Sequence, residues 1–177
     1  MMPKNITLVG FMGTGKTSVG KIPAKRLNRP VVDVDLYIEK SVEKEISEIF
    51  ETEGEARFRV LEKEAIRQIC QGQGIVITTG GGAVLDPENI ETLKASGCVI
   101  GLSAKPETIF KRLRHSRHRP LLNGQDKLKE IERLLAVRKP FYQKADLHFD
   151  TDGRTASQMA DLILKALTEK YKEATDF

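Results

Sequence analysis

The 177-residue chain has no tryptophan, two cysteines and three histidines, and only 6% of its residues are aromatic. Cys70 and Cys98, each in an apolar context, exclude a disulfide framework and a cysteine-based zinc centre, and read as buried thiols of a reducing compartment. His115 and His118 lack a third metal-ligand partner at a sensible spacing. With so few aromatics and no RNP-type motif, little is available for RNA bases to stack on. No window approaches the roughly 20 apolar residues of a spanning helix, and the run Ile6–Val9 is too short for a secretory signal. A cytoplasmic protein that binds neither membrane nor nucleic acid is expected, working as a monomer. No repeat, low-complexity stretch or linker divides residues 1–177, which read as a single domain.

What is present is a balanced globular composition, 40% apolar and 31% charged, far from that of disordered chains. The net charge of +4 is modest, but it is unevenly spread. Residues 105–144 carry twelve basic and four acidic side chains, whereas residues 35–64 carry ten acidic and five basic ones. A segment that basic suits a small polyanionic ligand.

Short β-branched runs alternate with helical patterns. Ile6–Val9, Val31–Asp33, Ile75–Thr78, Val99–Leu102 and a weaker Leu147–Asp150 read as buried strands. The spacing predicts helices over about 15–27, 35–52 with a break, 55–70, 87–95, 106–114, 126–138 and 156–170. Asp86-Pro87 has the form of an N-cap and first helical residue, Gly97 that of a left-handed residue closing the same helix, and Asn28 a similar terminator after Leu27. Thr155 and Gln158 have capping-box spacing. Strands separated by helices require crossovers, hence a parallel sheet covered on both faces. Pro23, two turns into the first helix, removes a backbone hydrogen bond and predicts a kink near residues 19–22.

Gly10-Phe11-Met12-Gly13-Thr14-Gly15-Lys16-Thr17 fits G-x-x-x-x-G-K-[ST] and stands between a strand and a helix, as a phosphate-binding loop must. Gly13, Thr14, Gly15 and Ser18 would offer main-chain amides and the helix N-terminus to phosphate oxygens. Lys16 would reach the β- and γ-phosphates, and Thr17 would offer its hydroxyl to Mg²⁺. Further on, Asp33 and Asp35 end the second strand. In extended backbone, residues two apart project to one side, so both carboxylates are expected in the crevice beyond the strand ends. One can hold the Mg²⁺ shell and the other accept a hydrogen bond from a substrate hydroxyl. Three successive glycines, Gly80, Gly81 and Gly82, are hard to justify by packing and point to close backbone approach to a ligand. Residues 113–125 are polar, basic and aperiodic, the profile of a closing lid.

From about residue 5 to 168 the chain resembles the shikimate kinases. The resemblance rests on the phosphate loop, Asp33-x-Asp35, Ile49-Phe50-x-x-x-Gly54-Glu55-x-x-Phe58-Arg59-x-x-Glu62, Thr79-Gly80-Gly81-Gly82, Arg119-Pro120-Leu121-Leu122, and Arg138 with Pro140 and Tyr142. It implies an α/β fold of P-loop NTPase type, with five parallel strands in the order 2-3-1-4-5, and phosphorylation of the 3-hydroxyl of shikimate by ATP with Mg²⁺. It further implies an acid-binding region near 34–62 and a carboxylate clamp made by Arg59 and Arg138. Gly80–Gly82 would meet the substrate's hydroxyls and the γ-phosphate, and Thr78 would reach magnesium-bound water. By the same resemblance Asp35 orients the attacking hydroxyl, Asp33 and Thr17 organise Mg²⁺, and Lys16 and Arg119 offset charge on the transferring group. Arg112 stacks on adenine and Arg154 borders the nucleotide. A kinase for another hydroxy acid such as gluconate, and a non-catalytic nucleotide-binding regulatory module, are the competing readings.

Overall fold

A computed structural model of the protein describes residues 2–114 and 126–172. The elements run β1 (Asn5–Gly10), α1 (Lys16–Arg26), β2 (Val31–Asp33), α2 (Val34–Val42), α3 (Ile46–Thr52), α4 (Gly54–Ile69), β3 (Val76–Thr78), a short 3-10 turn (Ala83–Leu85), α5 (Pro87–Ser96), β4 (Gly97–Ser103), α6 (Pro106–Leu113), α7 (Lys127–Tyr142), β5 (Leu147–Asp150) and α8 (Ala156–Lys172). The five strands are all parallel, in the order β2-β3-β1-β4-β5. Among the described residues no helix is long and apolar enough to cross a membrane.

Alternation along the strands builds two cores. Ile6, Leu8, Val76, Ile100 and Leu102 face α1 and α8, where Val19, Ala24, Met159, Ile163 and Leu167 close over them. Val9, Ile77 and Val99 face the other way, against Ile38 of α2, Ile49 of α3, Phe58, Leu61 and Ile66 of α4, and Ile90 and Leu93 of α5. Most of these side chains are fully buried, each worth about 1.5–3 kcal/mol of transfer free energy. A third cluster lies beyond the carboxyl ends of the strands. There Phe11 and Met12 of the phosphate loop pack on Ile109 and Leu113 of α6 and on Ile131 and Leu134 of α7. This cluster ties the loop that follows the central strand to the two helices carrying much of the basic segment.

Several local expectations hold. Asp86 Oδ1 accepts from the Glu88 amide at 2.8 Å, Thr155 and Gln158 exchange hydrogen bonds at 2.9 and 3.2 Å, and Asn28 adopts a left-handed φ of 52°. Others need correction. Gly97 is not left-handed. Its φ of 167° is extended, and it opens β4 directly after α5; glycine is required because a Cβ would overlap the Asn5 backbone on β1. Helix α7 continues past residue 138, through Pro140, to Tyr142. Pro23 lies buried inside helix α1, at the place the spacing predicted. Cys98 is buried, but Cys70 is only half-buried.

Candidate active site

The phosphate loop takes its shape from glycine. Gly10, Gly13 and Gly15 adopt φ of 146°, 78° and 94°, values that side chains rarely tolerate. Thr14 locks the turn, its buried hydroxyl donating to the Phe11 carbonyl at 2.7 Å. Lys16 is 8% exposed, and its ammonium donates to the carbonyls of Gly10 and Phe11 at 2.9 and 3.0 Å.

The loop lies between two clefts that share Gly13, Gly15 and Ser18. One cleft is bounded by Arg112 and Leu113 of α6 and by Thr151 and Arg154 after β5. Arg112 is fixed there by donating to the carbonyl of Gly13 at 3.0 Å and to the hydroxyl and carbonyl of Thr151 at 3.1 and 3.3 Å. Arg154 donates to the Asp150 carbonyl at 2.8 Å. Thr151, 2% exposed, carried no signal in the sequence, because its partner lies 39 residues away.

The other cleft is bounded by Lys16, Thr17, Asp33, Asp35, Gly80 and Gly81. Strand alternation is not what brings the two aspartates together. Strand β2 ends at Asp33, whose side chain caps α2 by accepting from the amides of Asp35 and Leu36 at 3.1 and 3.3 Å. Asp35 occupies the first turn of that helix. The other carboxylate oxygen of Asp33 accepts from the hydroxyls of Thr78 at 2.7 Å and Thr17 at 3.4 Å. This donor set is all hard oxygen, with a single carboxylate. Among the described residues no cluster of three His, Cys, Asp or Glu side chains is placed to hold a metal. Such a set fits Mg²⁺, which keeps most of its waters and shares its shell with phosphate oxygens, better than an ion enclosed by protein ligands.

The three glycines after β3 have distinct reasons. A Cβ on Gly80 would lie 2.8 Å from Asp35 Oδ1, one on Gly81 3.1 Å from the Met12 amide nitrogen, and one on Gly82 2.6 Å from Arg59 Nη2. The turn is therefore pressed against the carboxylate, the phosphate loop and the guanidinium together. Arg59 sits 5.2 Å over the Phe58 ring and pairs with Glu55 at 2.9 Å and Glu62 at 2.7 Å. Burial works against the Arg59 charge, but the two carboxylates, Glu62 foremost, outweigh it and raise its pKa. Glu62 has a side chain only 2% exposed. Burial pushes its carboxyl up, Arg59 pulls it down, and the charge of Asp35 adds to the rise.

Arg138 is 6% exposed, lies 5.6 Å over the Phe11 ring, and has no described carboxylate within ion-pair distance. Its Nη1 is buried without a hydrogen-bond partner among the described residues. An unmet donor of that kind costs about 1–3 kcal/mol, more on a charged group, so the position asks for an anion. Arg119, with the rest of the expected closing segment from 115 to 125, lies outside the described residues.

A family model for shikimate kinase matches residues 12–168. The chain belongs to the shikimate kinase family. Shikimate kinase of Thermodesulfovibrio yellowstonii is 49% identical over 162 residues, covering 92% of this chain and 94% of the relative. Shikimate kinase from Acinetobacter baumannii, solved in complex with shikimate, superposes with a TM-score of 0.91 at 35% identity, covering 94% of each chain. A gluconokinase from Sinorhizobium meliloti shares the fold, with a TM-score of 0.65 at 14% identity over 98% of this chain and 97% of its own. The shikimate kinase family is one of phosphotransferases, and the five-stranded order found here is that of its P-loop fold.

Proposed function

We propose that the protein transfers the γ-phosphoryl group of ATP to the 3-hydroxyl of shikimate, with Mg²⁺, in the cytoplasm. The observation that carries the acceptor is the packing of Asp35 and Arg59 against one glycine turn beside the phosphate loop, with Arg138 over Phe11 of that loop. Two guanidinium groups offer planar forks for a carboxylate. Asp35, held against Gly80, is the acceptor for a hydroxyl proton. Polar groups at fixed separation select a carboxylated ring alcohol in that cleft, while adenine occupies the cleft of Arg112 and Arg154.

The phosphate loop holds the triphosphate through its amides and the start of α1, with Thr14 fixing the turn and Ser18 at its edge. Thr17 would hold Mg²⁺ and Asp33, braced by Thr78, would hold its water; the ion supplies charge neutralisation at the β- and γ-oxygens. Lys16 exchanges the carbonyls of Gly10 and Phe11 for phosphate oxygens and balances charge on the transferring group. Asp35 orients the 3-hydroxyl in line and takes its proton as the new P–O bond forms. The transition state is loose, so positioning and electrostatics carry most of the rate. Arg119 is assigned to the lid by its place before Pro120-Leu121-Leu122.

The test is an ADP-release assay with MgATP and, side by side, shikimate, quinate and gluconate. Shikimate should raise the rate far above the others. Equal turnover with gluconate, or none with shikimate, overturns the reading.

A further inference from the structure

A hydrogen bond to the glycine turn comes from a residue without an assigned role. Tyr142, the last residue of α7, donates its hydroxyl to the Gly81 carbonyl at 2.5 Å across 61 residues of sequence. Burial pushes its phenol up to about 12, against the pull of the Arg138 and Arg59 charges beside it, so the hydroxyl stays protonated and keeps donating. One helical turn earlier on α7 stands Arg138. With its proton committed to Gly81, the phenol oxygen presents only lone pairs to the neighbouring guanidinium.

The glycine turn is held by its carbonyls throughout. Gly80 O accepts from the Ala83 amide at 3.4 Å, Gly82 O from the Leu85 amide at 3.0 Å, and Ala83 O from the buried Asn89 side chain at 2.9 Å. No described residue accepts from the amides of Gly80, Gly81 or Gly82. Because a peptide unit is planar, fixing the Gly81 carbonyl also fixes the direction of the Gly82 N–H on its opposite side. Each carbonyl of the turn thus already accepts from the protein, whereas its amides are left for a ligand.

Resting on the function proposed above, we infer that Tyr142 is a positioning residue for the acid substrate: its single hydroxyl sets the Gly81–Gly82 peptide and seats Arg138, so that turn and guanidinium meet the substrate's oxygens together. It touches neither ATP nor the reacting atoms.

Tyr142→Phe keeps the ring and removes one hydroxyl. In the full chain, KM and calorimetric Kd for shikimate should rise about tenfold, the loss of one hydrogen bond near a charge, while KM for ATP stays within about twofold. In an Arg138→Ala background the same change should cost at most about threefold, because part of what it positions is gone. The Gly82 amide resonance of the ligand-free variant should shift, a readout independent of turnover. An unchanged shikimate KM, equal losses for both substrates, or an unmoved Gly82 amide overturns the assignment. Failure of the unsubstituted chain to use shikimate would instead overturn the function on which it rests.

Discussion

The two clefts beside the phosphate loop are built differently. The proposed nucleotide side rests on one contiguous stretch, residues 10–18, whose backbone would do the binding, and its outlying arginine is pinned by hydrogen bonds to Gly13 and Thr151. The proposed acid side is assembled from side chains of α2, α4 and α7 and the backbone of the turn after β3, brought within reach only by the finished fold. Backbone recognition tolerates many triphosphates. Side-chain recognition selects one acceptor and places charged groups in low dielectric, where an unmatched one is costly.

The sharpest way to separate the two halves is Asp35→Asn, which keeps shape and removes the proton acceptor. Turnover should fall by ~10² or more while calorimetric affinity for MgATP is retained; comparable turnover would remove Asp35 from the mechanism. Arg138→Ala should act on binding, raising KM for shikimate by about 10- to 100-fold, as expected for a charge-assisted pair, with KM for ATP little changed. A parallel loss of ATP affinity would mean that the halves are coupled through Phe11. The smallest effect concerns stability. Glu62 has its carboxyl raised by burial, so the folded state holds its proton more tightly than the unfolded chain does. The wild type should therefore hold its best relative stability below the ordinary carboxyl range, about pH 4.3, and lose it as pH rises through the elevated value. Urea titrations of wild type and Glu62→Gln from pH 4 to 7 should show the difference drifting against the wild type. A flat difference would place Glu62 in an ordinary exposed ion pair.

This asymmetry also decides what could be read from residues alone. The phosphate loop was legible because its chemistry is local: three glycines at fixed offsets encode the turn. The five strands and nearly all helices followed from periodicity and capping residues such as Asp86 and Thr155, whereas the strand order came only from the resemblance. Asp33 and Asp35 were placed in the right crevice for the wrong reason, since the start of α2 between them is invisible to an alternation argument. Gly97 was misread because its need, room for the Asn5 backbone, is set by a strand 92 residues away. Glu62, Thr151 and Tyr142 carry no composition signal as site residues. Their partners are fixed by tertiary packing, and only the resemblance through Glu62 and through Arg138-x-Pro140-x-Tyr142 drew attention to two of them.

The first strand gains its second neighbour only when the fourth has been made. β1 sits in the middle of the sheet between β3 and β4, with Leu8 beside Thr78 and Gly10 beside Leu102. A chain emerging from the ribosome therefore carries its phosphate loop unsupported until roughly the first hundred residues are out, and long-range pairings of this kind form slowly. A ligand that needs residues 10–18 in their folded shape would then stabilise a sheet that has already closed, and could not template it.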